Sequence, residues 1–364
     1  MRGVWAVAVV AVMAGCGDAS NNGGGGCEDC DAGAAEDVAR DDAFAPTDSG
    51  ARDAGGALDS GRRDAGTAAD SGRRDAGGAL DSGTRDAGTT APPGDPATRD
   101  AATVCARWRE ERALLGSLPG WMPAADRCEN GVLPEVTRTA GVRLTNVFRW
   151  LAGLAPTVEN TAALPNAQAC AVMMNANGQL SHRPPTSWAC YSAAGAQGAA
   201  TSNIGGGRGY TMTPWAAVSG WIDDSRDLTM TLGHRRWMLF EPLTRVAYGQ
   251  AEGFACLVVL QGHDGARTRS WVAWPNAGPT PMQAMTRIWS FSARGAGLSS
   301  TSQVRVTLDG QPLTVQAQLR AANYGDDTIS WNMPTIRAGG VYRVTVMGLR
   351  NGDVTYEVRP VACE

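Results

Sequence analysis

The ordering of apolar and polar positions divides the chain into three parts. Leu144, Val147, Phe148 and Leu151 recur at helical spacing, and Gly153-Leu154-Ala155-Pro156 ends the run, which predicts a helix with one buried face. A second helix is predicted after Pro165, with Ala167, Cys170, Ala171 and Met174 on one face and Asn177-Gly178 at its end. Thr213-Pro214 is an N-cap followed by proline at the first helical position, and that helix turns Trp215, Val218 and Ile222 inward. A shorter helix starts at Gly233-His234-Arg235-Arg236 and stops by Pro242. Residues 245–250 and 254–260 read as strands, the second continuous enough to be buried on both faces. Ahead of these, residues 106–115 suggest a short helix, and the glycine-rich residues 201–209 a loop.

Beyond residue 300 the period changes from helical to two. Val304, Val306 and Leu308 alternate, Asp309-Gly310 marks a hairpin turn, and Leu313 and Val315 resume the pattern. Ile329 and Trp331, residues 341–346, and Val354, Tyr356 and Val358 supply further strands. Short strands with no helix among them predict a small all-β sandwich over 300–364. Residues 263–299, rich in tryptophan, are expected to connect the two units and pack between them.

The first hundred residues follow neither period. Arg2 and an apolar run over residues 4–13 read as a signal segment, since a run of 10 is well short of the ~20 a spanning helix needs. Met13-Ala14-Gly15-Cys16 resembles the lipobox of bacterial lipoproteins, which implies cleavage after residue 15 and a lipid on Cys16. From 16 to 103 the chain is low in complexity, mostly Gly, Ala, Asp, Ser, Thr and Arg with almost no large apolar side chains, and Arg-Asp-Ala-Gly recurs at Arg52, Arg63, Arg74 and Arg85. Such a composition buries too little apolar surface to fold and reads as a disordered tether spanning roughly 50 Å on average. Residues 17–103 carry 18 acidic and 8 arginine side chains, whereas 104–364 carry 18 and 23. The folded part is thus mildly basic, without an arginine run dense enough for nucleic acid.

Eight cysteines remain after Cys16, an even number that suits an exported chain with disulfides. Sequence neighbours suggest Cys27–Cys30, Cys105–Cys128 and Cys170–Cys190, leaving Cys256 with Cys363, although eight cysteines allow 105 pairings. The chain has only three histidines, His182, His234 and His263, so imidazole chemistry is confined to few places. His234 sits at a helix start, where the dipole disfavours its protonated form.

Several stretches in this order resemble one family. Asn146, Arg149, Gly153-Leu154, Gln168, Met174, Asn177-Gly178 and Leu180-Ser181-His182 are similar to the opening helices of the CAP superfamily, which includes the cysteine-rich secretory, sperm-coating and plant pathogenesis-related proteins. Ser202-Asn203-Ile204 resembles its Glu-Asn-Ile/Leu motif, Trp221-Ile222-Asp223-Asp224 its Trp-x-x-Glu, and Gly233-His234-Arg235-Arg236 through Leu239 and Pro242 the bacterial form of its histidine motif. The resemblance implies an α+β chain: a CAP-like α-β-α sandwich over 104–262 ahead of the β-sandwich. It also implies a cleft holding two histidines and two carboxylates, where some members bind zinc or a similar divalent ion. In this sequence those positions are His182, His234, Asp224 and Ser202, so one carboxylate is shortened and the other lost. Ser202, His234 and Asp224 also nominally make a serine–histidine–carboxylate set, with no Gly-x-Ser-x-Gly elbow around Ser202. The expectation is an envelope or extracellular binding module tethered through Cys16, for a lipid or protein ligand, with a metal-assisted hydrolase using His182, Asp224 and His234 as the alternative.

Overall fold

The computed structural model describes residues 95–225, 231–295 and 297–364. The signal segment, Cys16, the repeats and the Cys27–Cys30 pair lie outside the described residues. Order begins earlier than residue 104. A 3-10 turn at Pro96–Thr98 buries Pro96, and α1 (Ala101–Ala113) starts five residues before the expected 106. The reason is local: the Asp100 side chain accepts the Thr103 N–H at 2.6 Å, an N-cap that fixes the first turn.

Three layers follow. Helices α2 (Glu135–Leu151), α3 (Leu164–Asn177), α4 (Ala193–Thr201), α5 (Pro214–Asp223) and α6 (Gly233–Met238) surround one sheet. Its strands are β1 (Val158–Glu159), β2 (Ser202–Gly206), β3 (Arg245–Ala251) and β4 (Phe254–Val258), in the order β1-β3-β4-β2, with only the β1–β3 pair parallel. Alternation decides which helix each strand residue meets. Val246, Tyr248, Ala255 and Leu257 pack with Leu144, Val147, Phe148 and Leu151 of α2 and with Val218 and Trp221 of α5. Ala247, Cys256 and Val258 turn to the α3 and α4 side, with Ala167, Cys170 and Ala199. Each fully buried large apolar side chain contributes about 1.5–3 kcal/mol, so the α2 stripe alone fixes one helical layer. At Gly249 a Cβ would stand 2.3 Å from the Ala167 backbone, so only glycine lets α3 lie this close to β3.

Ser202–Gly206, expected within a loop, is a strand because Ser202 through Gly206 pair in register with Val258 through Phe254. Its five residues are short and glycine-rich, so the period-two signal was absent.

The C-terminal unit is a sandwich of two sheets. One has the order β10-β11-β7-β5 and the other β6-β13-β12-β8-β9. The strands are β5 (Trp271–Trp274), β6 (Gly278–Pro281), β7 (Ile288–Ala293), β8 (Gln303–Leu308), β9 (Gln311–Leu313), β10 (Ala317–Leu319), β11 (Asp327–Asn332), β12 (Tyr342–Met347) and β13 (Val354–Val361). Residues 263–299 therefore supply three strands rather than a bare connection. Ala273, Trp289 and Phe291 face the sandwich core, while Val272 and Trp274 join the core beneath α2 and α5. With both faces covered, β5 is apolar throughout and lacks the alternation that marks a half-exposed strand, whereas β7 alternates Trp289, Phe291 and Ala293 with Ser290 and Ser292.

The disulfides differ from the sequence-neighbour expectation. Cys105 joins Cys363, Cys128 joins Cys190, and Cys170 joins Cys256, with Cα separations of 4.9, 4.8 and 6.3 Å. The pairs Cys105–Cys128, Cys170–Cys190 and Cys256–Cys363 are thus corrected. Cys170 and Cys256 meet because both face the same α3–sheet interface. Non-reducing peptide mapping should recover the three observed pairs and none of the neighbour pairs. Replacing Cys170 and Cys256 by serine, whose bridge spans 86 residues, should cost about 4–5 kcal/mol of stability in a denaturant titration under the chain-entropy account.

Candidate functional site

The site begins with two arginines that hold its backbone. Arg149, near the end of α2, is fully buried. Its guanidinium donates to the carbonyls of Ala155, Met238, Phe240, Glu241 and Leu243 at 2.8–3.4 Å. Three of these, on residues 238, 240 and 241, lie at and just past the end of α6, where carbonyls have no partner within the helix. Arg235, on α6 itself, donates to Ile222 O at 2.6 Å and Asp223 O at 2.8 Å, the last carbonyls of α5. It also reaches Ile288 O at 2.9 Å and Ser290 Oγ at 3.1 Å on β7. Burial pushes Arg149 down to about 9 and Arg235 down to about 10, with Asp224 opposing the shift at Arg235. Both remain charged at neutral pH. Arg236 points elsewhere, donating to Ala321 O at 2.7 Å and Asp326 O at 3.0 Å. Arg235 and Arg236, read from sequence as charges beside His234, are instead staples running into the protein and across to the β-sandwich.

This scaffold sets the histidines. His234 Nδ1 lies 2.8 Å from Asp224 Oδ1, and the Arg235 N–H donates to Asp224 Oδ2 at 3.2 Å. The Asp224 side chain is 1% exposed and that of His234 26%. Asp224 ends α5 in the left-handed region, φ 49°, and Leu232 just before α6 does the same at φ 54°. Aspartate tolerates that region; a buried leucine there is strained by about 1–3 kcal/mol. His182 donates Nδ1–H to Ala199 O at 2.9 Å, a role fixed because a carbonyl only accepts. Asn203 Nδ2 donates to His234 O at 2.9 Å, and Trp221 Nε1 to Ile204 O at 3.1 Å. The segment 199–204 is therefore a common strut for both imidazoles and for α5. Asn203 was noticed only as part of a motif; its amide next to a buried strand start was the available signal.

The structure brings Asp224 and His234 together. It does not bring Ser202 to them: Ser202 is buried, and its Oγ has no hydrogen-bond partner among the described residues. The nucleophile–base contact of a serine triad is missing. A metal is not fitted either. Asp224 spends both oxygens on His234 and the Arg235 N–H, Ser202 offers no carboxylate, and among the described residues no group of three His, Cys, Asp or Glu side chains is placed to hold an ion. Two imidazoles alone fall short of the three protein ligands of a catalytic zinc site. His263, the third histidine, stacks on Trp237 at 5.4 Å, and burial pushes its pKa down, which keeps it neutral.

At the end of α3, Asn177 ties neighbouring segments together. Its side chain bonds Ala189 O and Ala189 N at 2.9 and 3.1 Å, and its carbonyl accepts from Arg208 at 3.1 Å. Leu180, Tyr191 and Tyr210, on the segments so joined, are 44%, 37% and 65% exposed. Leu180 stands two residues before His182 in the chain.

Residues 142–259 match the model of the CAP family, described as the cysteine-rich secretory protein family. Neither the curated proteins nor the solved structures yielded a match. The chain carries a CAP domain, at family level an extracellular module of the binding type. Three disulfides and this domain are compatible with export, and no helix among the described residues is long and apolar enough to cross a membrane.

The donor set predicts no tight zinc site. Calorimetric titration of the metal-free protein with zinc should give no saturable step assignable to the histidines. Stoichiometric zinc that disappears in His182→Ala would contradict this.

Proposed function

We propose that this chain is an envelope or extracellular binding protein. Its CAP cleft, beside His182 and His234, receives an amphipathic ligand, and a lipid on Cys16 with the acidic segment behind it holds the domain at a membrane. The observation that supports this reading is the fixing of both imidazoles through Nδ1, to Ala199 O and to Asp224, together with the exposed Leu180, Tyr191 and Tyr210 on segments that Asn177 joins. Two imidazoles held in fixed orientation, with exposed aromatic and aliphatic side chains on nearby segments, suit a lipid or apolar peptide that also carries a polar group. The strained Leu232 beside His234 is consistent with a functional site, since such strain persists only where the surroundings enforce it. For the hydrolase alternative, the described residues supply no nucleophile bonded to a base and no group of three metal-ligating side chains.

Native mass spectrometry of the protein taken from its own envelope fraction tests the cleft. A co-purifying adduct should be present in the parent and lost in Leu180→Ala/Tyr210→Ala and in His234→Ala. An adduct retained by both variants rules the cleft out. Separately, Cys16→Ser should move the protein from the membrane pellet to the soluble fraction; unchanged partitioning removes the anchor.

A further inference from the structure

A second concavity lies away from the CAP cleft, on the open side of the β-sandwich where the edge strands β5 and β6 meet the Pro96–Thr98 turn. It is a groove of about 590 Å³, within the range of small-ligand sites. Arg269, Arg343 and Arg359 line it, with Trp271, Tyr356 and Asp95.

Its charges are unevenly matched. Arg359 is paired with Glu357 at 3.0 Å, and Asp95 accepts the Ala97 N–H at 3.0 Å. Arg269 and Arg343 make no ion pair among the described residues, and neither guanidinium has a hydrogen-bond partner there. Positive charge accumulates beside Arg269. Arg99 and Arg107 both stack on Trp150, with 4.0 and 4.4 Å from each guanidinium carbon to the ring centroid. Burial, then repulsion from Arg107 and Arg269, pushes Arg99 down to about 10. Asp95 offsets part of this repulsion, and an anion entering beside Arg269 relieves more of it.

The aromatic wall has a defined face. Trp271 lies 5.3 Å from Phe291 and 5.4 Å from Tyr356, and all three rings are near parallel. Phe291 and Tyr356 are 6.4 Å apart. Rings on opposite faces of the indole would stand at least ~7 Å apart, twice a van der Waals contact. Both therefore cover the same face of Trp271, whose other face is turned away from that stack. Tyr356 is buried, and its hydroxyl has no hydrogen-bond partner among the described residues.

We propose that this groove binds an acidic oligosaccharide: a sugar ring laid on the open face of Trp271, with its carboxylate or sulfate groups held by Arg269 and Arg343. Guanidinium forks match such groups bidentately, and a flat indole face accepts the C–H face of a pyranose. A purely ionic partner would need no aromatic wall, and a neutral sugar would need no arginine pair. The site is separate from the CAP cleft, and its failure leaves the reading of that cleft untouched.

Calorimetry with the full chain and an oligogalacturonate of eight residues is the test. Saturable 1:1 binding is expected, with at least tenfold weaker affinity in Arg269→Glu/Arg343→Glu and several-fold weaker affinity in Trp271→Phe. Arg287→Glu is the charge control. It is exposed and lies six residues along β7 from Ala293, the register partner of Trp271, about 20 Å away. It should bind as the parent does. Thermal midpoints of all variants within a few degrees of the parent establish folding. Equal binding of oligo-glutamate of matched length overturns the sugar assignment, and equal loss in Arg287→Glu reduces the effect to net charge. Absence of binding to the parent overturns the proposal outright.

Discussion

A buried guanidinium satisfied by backbone carbonyls is the interaction on which this structure turns. Arg149 and Arg235 each sit in a water-free interior, where an unpaired charge costs several kcal/mol. Each charge-assisted hydrogen bond returns on the order of 1.5–3 kcal/mol against that cost. With four to five oxygens around each, the bonds offset the cost of burying the charge. The consequence is specificity. A chain path that failed to bring residues 222, 223, 238, 240, 243 and 288 to these two side chains would leave a bare cation in the core.

The path so fixed is the one that makes the cleft. α6 has six residues, too few to be stable alone, and its first N–H groups are met from outside it, Gly233 by Thr231 Oγ1 and Arg235 by Asp224 Oδ2. Arg149 occupies the carbonyls at and beyond its C-terminal end, while Arg235 binds it to α5 and to β7. His234 is then held between Asp224, which closes α5, and Asn203, the second residue of β2. The same Arg235 contacts carry the position of the sandwich to the site, which explains why a short helix of modest composition keeps two left-handed residues in place beside it.

Much of the CAP layer was legible because α2, α3 and α5 each present one apolar face with clear end signals: Pro156 beyond α2, Gly178 after α3 and Thr213-Pro214 ahead of α5. The α+β class and the family followed from motif order, and the family match over residues 142–259 agrees. Less legible were features set by contacts distant in sequence. Cys170 and Cys256 face one interface from elements 86 residues apart, whereas neighbour spacing favoured Cys190. β5, covered on both faces, carries no alternation. The roles of Arg235 and Arg236 depend on which way two adjacent side chains leave a short helix, which a His-Arg-Arg string does not state. Of the four cleft positions named by motif, Asp224 and His234 are hydrogen-bonded to each other, and Ser202 is a buried strand residue.

Because Arg235 donates both to α5 and to β7, the CAP lobe and the sandwich are expected to unfold as one unit. Urea unfolding followed by hydrogen exchange with mass spectrometry, resolved over peptides from α2, α5, β7 and β12, measures this directly. In the parent chain all four should lose protection at one midpoint. In Arg235→Met the β7 and β12 peptides should separate from those of α2 and α5. Separate midpoints in the parent, or a single unshifted midpoint in the variant, would contradict the account.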